Sequence, residues 1–190
     1  MINLDANWKN IKADDGAFKG LPAGVYKCVV KQASVKLSKK GQEMLVLCLD
    51  IAEGEYAHHF TDLFAKRHEE ASQKGEQAKW PNQAVYYQLT TGDFLPRFKY
   101  CIDCFEESNQ GFVFTGDEKS LMNKVVGVVF REEEYRSQRD GQVRISVKCD
   151  RIVPLSKMDS TKVPGVKKLK EDNEQRPKLS QDDWTQEIPF

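Results

Sequence analysis

Val125-Val126-Gly127-Val128-Val129-Phe130, then Arg136-Ser137-Gln138-Arg139-Asp140-Gly141, then Val143-Arg144-Ile145-Ser146-Val147-Lys148-Cys149-Asp150 is the run that decides the fold. The first piece is a strand-length apolar run. The last alternates strictly, which predicts Val143, Ile145, Val147 and Cys149 facing a core and Arg144, Ser146, Lys148 and Asp150 facing out. Asp140-Gly141 between them is a hairpin signal, because a tight turn needs a residue that accepts positive φ. Ile152 and Val153 extend the second strand. The chain therefore ends its folded part in a β-hairpin.

The same reading works outward towards the N-terminus. After the turn Gly20-Leu21-Pro22-Ala23-Gly24, residues Val25 to Ala33 place Tyr26, Cys28 and Val30 on one face and Lys27 and Lys31 on the other. Met44 to Ile51 is an apolar run broken only by Asp50, which predicts a central strand covered on both sides. Glu53-Gly54-Glu55 turns the chain into a third strand expected over Tyr56 to Phe64, and Ala65 to Lys79 reads as a charged excursion. Asp93 to Asn109 is expected to be a helix. Asp93 serves as its cap, Pro96 falls in its first turn, and Phe94, Phe98, Cys101, Ile102 and Phe105 form its apolar stripe. Three strands, a helix and a two-strand hairpin make a mainly β chain with the element order of an OB-fold, a five-stranded Greek-key barrel with a helix between strands 3 and 4. The same order also suits other small α+β folds.

Composition narrows the class. Of 190 residues, 39% are hydrophobic and 31% charged, which is a soluble globular composition with room for unstructured pieces. No apolar run approaches the ~18 residues that span a bilayer, and Met1-Ile2-Asn3-Leu4-Asp5 lacks the basic and apolar regions of a signal peptide. A cytoplasmic location and no membrane partner follow as expectations. Five cysteines, mostly in apolar runs, suit reduced buried thiols. Cys101-x-x-Cys104 has no second ligand pair, so neither metal nor cofactor is expected. The chain lacks a glycine-rich phosphate loop, a G-x-S-x-G and an H-E-x-x-H, and it reads as a non-enzyme.

Net charge is zero, 29 bases against 29 acids, which on its face opposes phosphate binding. The distribution is uneven: Gly24 to Asp50 carries five lysines and two acids, and Arg136 to Arg151 carries five bases and two acids. A single strand is bound by a basic groove with aromatic platforms. Lys36, Lys39 and Lys40 in the first hairpin loop and Arg144 and Lys148 on the last strand supply the charge. Tyr56, Trp80 and Tyr86, with neighbouring Tyr87, supply rings. Each also has a plain structural reading: solvated strand faces for the bases, core or barrel-end packing for the rings.

The domain order follows from composition. Residues 1–17 read as an arm and 18–155 as the folded domain. Residues 156–180, rich in Lys, Glu, Asp and Pro, read as a flexible linker, and 181–190 as an acidic tip. A flexible tether of that length reaches roughly 25–30 Å on average. The tip holds three acids and no base and closes on Ile188-Pro189-Phe190. Asp182, Asp183, Trp184, Glu187, Ile188, Pro189 and Phe190 form a charged, aromatic anchor suited to a basic-rimmed pocket on another protein.

That acidic stretch ending in Ile-Pro-Phe resembles the C-terminal tip of bacterial single-stranded DNA-binding proteins, although Trp184-Thr185-Gln186 interrupts the acids here. Leu21-Pro22-Ala23-Gly24-Val25-Tyr26, Ser38-Lys39-Lys40-Gly41-Gln42-Glu43-Met44-Leu45, Phe105-Glu106-Glu107-Ser108-Asn109, Lys124-Val125-Val126-Gly127 and Phe130-Arg131-Glu132-Glu133-Glu134-Tyr135 resemble a family of phage-encoded single-stranded DNA-binding proteins. The resemblance implies sequence-independent binding of single-stranded DNA in phage replication or recombination. It also implies a tip that recruits phage or host proteins such as a strand-annealing recombinase. The competing expectation is a non-enzymatic recombination-accessory or protein-interaction module. Oligomeric state stays open, and a homo-oligomer fits either reading.

Overall fold

The computed structural model describes residues 20–169 except residue 74. The expected arm at 1–17 and tip at 181–190 lie outside these residues.

Strand β1 (Gly24–Leu37) organises the rest. Its buried residues Cys28 and Val30 are two apart, but the next, Ala33, is three on. The pairing register shifts between Val30 and Gln32, so Lys31 is the extra residue of a bulge. The bulge bends the strand and lets it serve two ladders. Gly24–Val29 pairs with β4 (Val125–Arg136), and Cys28–Leu37 pairs with β2 (Glu43–Ile51). β3 (Val85–Leu89) joins β2, and β5 (Val143–Val153) joins β4. The result is one antiparallel five-stranded sheet in the order β3-β2-β1-β4-β5. Every residue of β2 from Met44 to Ile51 is buried, as its apolar run predicts, and the one charged residue in it, Asp50, is buried with the rest.

The expected third strand over Tyr56 to Phe64 is not formed. The chain turns at residues 53–58 and enters helix α1 (His59–Gln73). Buried Asp50 decides this. Its Oδ1 accepts from the backbone N–H groups of Ile51 and Phe60, both at 2.9 Å, and its Oδ2 accepts from the Thr61 hydroxyl. A carboxylate aimed at the first free N–H groups caps a helix. Phe60 and Phe64, four apart, then pack inward, Phe60 stacking on Phe130 at 5.7 Å. The third strand of the sheet is β3, which follows Trp80-Pro81.

Helix α2 (Leu95–Ser108) lies between β3 and β4 as expected, with Cys101, Ile102, Cys104 and Phe105 buried against the sheet. Asp93 sits in a preceding 3-10 turn rather than at the cap. Asn109 ties the helix end to β4. Its side-chain amide donates to the carbonyls of Phe105 (2.8 Å) and Val125 (2.7 Å), and its oxygen accepts from Val125 N–H (3.0 Å).

The β4–β5 hairpin runs past the start of β1, whose Gly24 pairs with Phe130. Its end therefore overhangs the core. Val143 and Ile145, expected inside, are 52% and 58% exposed, while Val147 and Cys149 do pack on the core. Residues 156–169, expected as linker, follow a defined course. A 3-10 turn at Leu155–Lys157 is pinned to α2 by Leu155 N–H donating to Ser108 Oγ (3.1 Å). Met158 packs over Gly127, where a β-carbon would come within 2.8 Å of it and 2.9 Å of the Val153 carbonyl oxygen. No helix among the described residues is long and apolar enough to cross a membrane.

Candidate nucleic-acid interface

The expected binding residues divide into three groups. Lys39 and Lys40 stand exposed in a tight β1–β2 turn, next to Lys36 at the end of β1. Ser38 closes that turn: its N–H donates to the Gln42 carbonyl (2.7 Å), its carbonyl accepts from Gly41 (2.8 Å) and its hydroxyl oxygen accepts from Gln42 N–H (3.0 Å). Gly41 takes φ of 73°, a conformation that favours glycine. The lysines are thus presented on a fixed tip.

Arg144 and Lys148 lie elsewhere. Arg144 bonds Asp140 within the β4–β5 hairpin, and Lys148 is 3.9 Å from Glu133. That hairpin overhangs the Gly24 end of β1, while the lysine turn follows its Leu37 end. Thirteen steps at ~3.3 Å separate the two by on the order of 40 Å along the strand.

The expected stacking rings are mostly interior. Trp80 is 6% exposed, with its indole N–H donating to the Leu49 carbonyl (3.2 Å) and its ring tilted on Phe64 at 5.4 Å. Tyr86 is 8% exposed, its hydroxyl donating to Gln88 Oε1 (3.0 Å), and burial drives its pKa up strongly. Tyr56 is half-buried, edge-on to Tyr26 and His59. Trp80 and Tyr86 are thus buried: their apolar bodies were drawn into the core and their polar atoms found partners there.

A different basic and aromatic constellation forms at the seam of the sheet. The edge strands β3 and β5 come into contact without a ladder between them among the described residues. Gln83, just before β3, donates its amide to Ser146 Oγ on β5 at 3.2 Å. Between β3, α2 and the β4–β5 pair opens a cleft of about 510 Å³ lined by Tyr87, Arg97, Tyr100, Arg131, Asp150 and Arg151, with Tyr86 and Gln88 at its β3 wall. Arg97 and Tyr100, three apart on α2, share its outward face. Asp150 is the residue displaced where the β4–β5 register shifts, and this turns it into the cleft. There Arg131 Nε contacts one carboxylate oxygen at 2.9 Å and Arg151 Nη1 the other at 3.3 Å. Three guanidiniums face one carboxylate, so the cleft is cationic. Tyr87 and Tyr100, 38% and 47% exposed, offer the rings.

A smaller cavity, about 230 Å³, is lined by the bridge residues Gln83 and Ser146 together with His59 and Tyr135. Burial lowers the pKa of His59 from 6.5, against the opposing charges of Asp50 and Asp62. All five thiols are pushed up, burial being the largest cause in each, with Cys48 reaching about 12. Cys101 and Cys104 are packing residues of α2.

Sequence reasoning missed Arg97, Tyr100, Arg131, Asp150 and Arg151 as one site. The available signal was Arg97 and Tyr100 together on the polar side of a predicted helix. No known protein-family model and no curated protein matches this sequence.

Proposed function

We propose that this chain binds single-stranded DNA without strong sequence preference. The observation that carries the reading is the seam cleft. Guanidiniums of Arg97, Arg131 and Arg151 line it and supply the charge for phosphates, and Tyr87 and Tyr100 line it as platforms for bases. A five-stranded sheet whose outer strands curl into contact also fits a partly open OB barrel. In this reading the Lys36-Lys39-Lys40 tip extends the path of the strand, and the phage-family resemblance supports the same role in replication or recombination. Residues 181–190 recruit other replication or recombination proteins through their acids and aromatic anchor.

A second reading, a protein-interaction module, draws on the exposed Val143 and Ile145 of the overhanging hairpin. Titration of fluorescent oligo-dT at several salt concentrations separates the two. Strand binding predicts affinity falling steeply with salt and preference over duplex; the interaction module predicts neither.

A further inference from the structure

Beyond Met158 the chain comes back to β5 and then to β4. Arg151 Nη2 donates to the Lys162 carbonyl at 3.1 Å. Residue 167 then lies parallel to β4, on the edge left open where β1 ends. Lys167 N–H donates to the Glu132 carbonyl and Glu134 N–H donates to the Lys167 carbonyl, both at 2.9 Å. The Lys167 ammonium lies 2.9 Å from Glu133 Oε1, and Leu169 N–H donates to Glu134 Oε2 at 3.1 Å. Burial opposes ionisation of Glu133, but the Lys167 hydrogen bond and the charges of Lys148, Lys167 and Arg131 hold its carboxyl below the usual value.

Two features make this strap detachable. It is held by polar contacts rather than apolar burial: Val163 and Val166 are 38% and 40% exposed. One of its clamps is also shared with the cleft: Arg151, which holds the Lys162 carbonyl, lines it.

Resting on the strand-binding reading above, we propose that residues 162–169 are a displaceable strap that competes with phosphate for Arg151. A phosphate oxygen at Arg151 withdraws the guanidinium from the Lys162 carbonyl, and the strap loosens from β4. Coupling of this kind is reciprocal: whatever holds the strap down weakens strand binding by the same factor.

The test uses the full chain with Glu133→Cys and Lys167→Cys together, a pair that removes one charge of each sign. The oxidised, disulfide-locked form is compared with the reduced form, so composition and net charge are identical. The locked form is expected to bind oligo-dT about fivefold or more weakly, the lower end of ordinary allosteric coupling. In the wild-type chain, hydrogen exchange over 162–169 is expected to quicken when oligo-dT saturates it. Equal affinity of the two forms, or unchanged exchange, overturns the strap while leaving strand binding standing. No binding of oligo-dT by the wild-type chain overturns the strand-binding reading, and the strap proposal with it.

Discussion

Asp50 does more for this fold than its size suggests. A carboxylate inside an apolar strand is costly unless its oxygens are satisfied, and here Ile51, Phe60 and Thr61 all donate to it. Replacing it with alanine leaves buried N–H groups without an acceptor, at about 1–3 kcal/mol for each unsatisfied group. Asp50→Ala is therefore expected to lower the denaturant midpoint markedly and Asp50→Asn less, since its amide oxygen still accepts. Equal midpoints for wild type and Asp50→Ala would show that the cap is dispensable. The thiols make a second residue-scale prediction. Burial raises all of them, so little thiolate exists at pH 8 and access is poor. An aromatic disulfide reagent should react slowly with the native chain and with five thiols after unfolding. Rapid reaction of Cys101 or Cys104 in the native state would contradict their packing role.

At the scale of elements, legibility followed the strength of the pattern. β4, β5, β2 and α2 were readable because an apolar run, a strict alternation and a helical stripe each have one physical solution. Tyr56 to Phe64 misled because its aromatics suit a strand locally, whereas the Asp50 cap that makes α1 comes from a different element. β3 was not read because Val85-Tyr86-Tyr87-Gln88-Leu89 mixes polar and aromatic groups and gains its place from β2. The apolar stripe of α2 was legible but its opposite face was given no role; only its position beside the sheet seam turns Arg97 and Tyr100 into a site. Tyr100→Ala is expected to weaken oligo-dT binding by about 1–3 kcal/mol, the usual worth of a stacking ring, while Tyr100→Phe keeps the ring and the affinity. Equal loss in both variants would point to the hydroxyl and remove stacking from the account.

For the whole molecule, zero net charge conceals local opposition. An acid of β4 faces bases of β5 and the strap, Glu133 against Lys148 and Lys167. The cleft exists because a sheet that bends at the β1 bulge brings its two edges together without pairing them, and the β4–β5 bulge turns Asp150 into the gap. Neither bulge leaves a signature in composition, which is why the site emerged from the fold and not from the sequence. The measurement that tests this account most directly is the salt dependence of oligo-dT affinity for wild type and Arg97→Gln, an exposed change on α2 that leaves the core untouched. The account predicts weaker binding and a logarithmic salt slope shallower by roughly 0.7, the value of one phosphate contact on a single strand. Identical affinity and slope in the two proteins would contradict it.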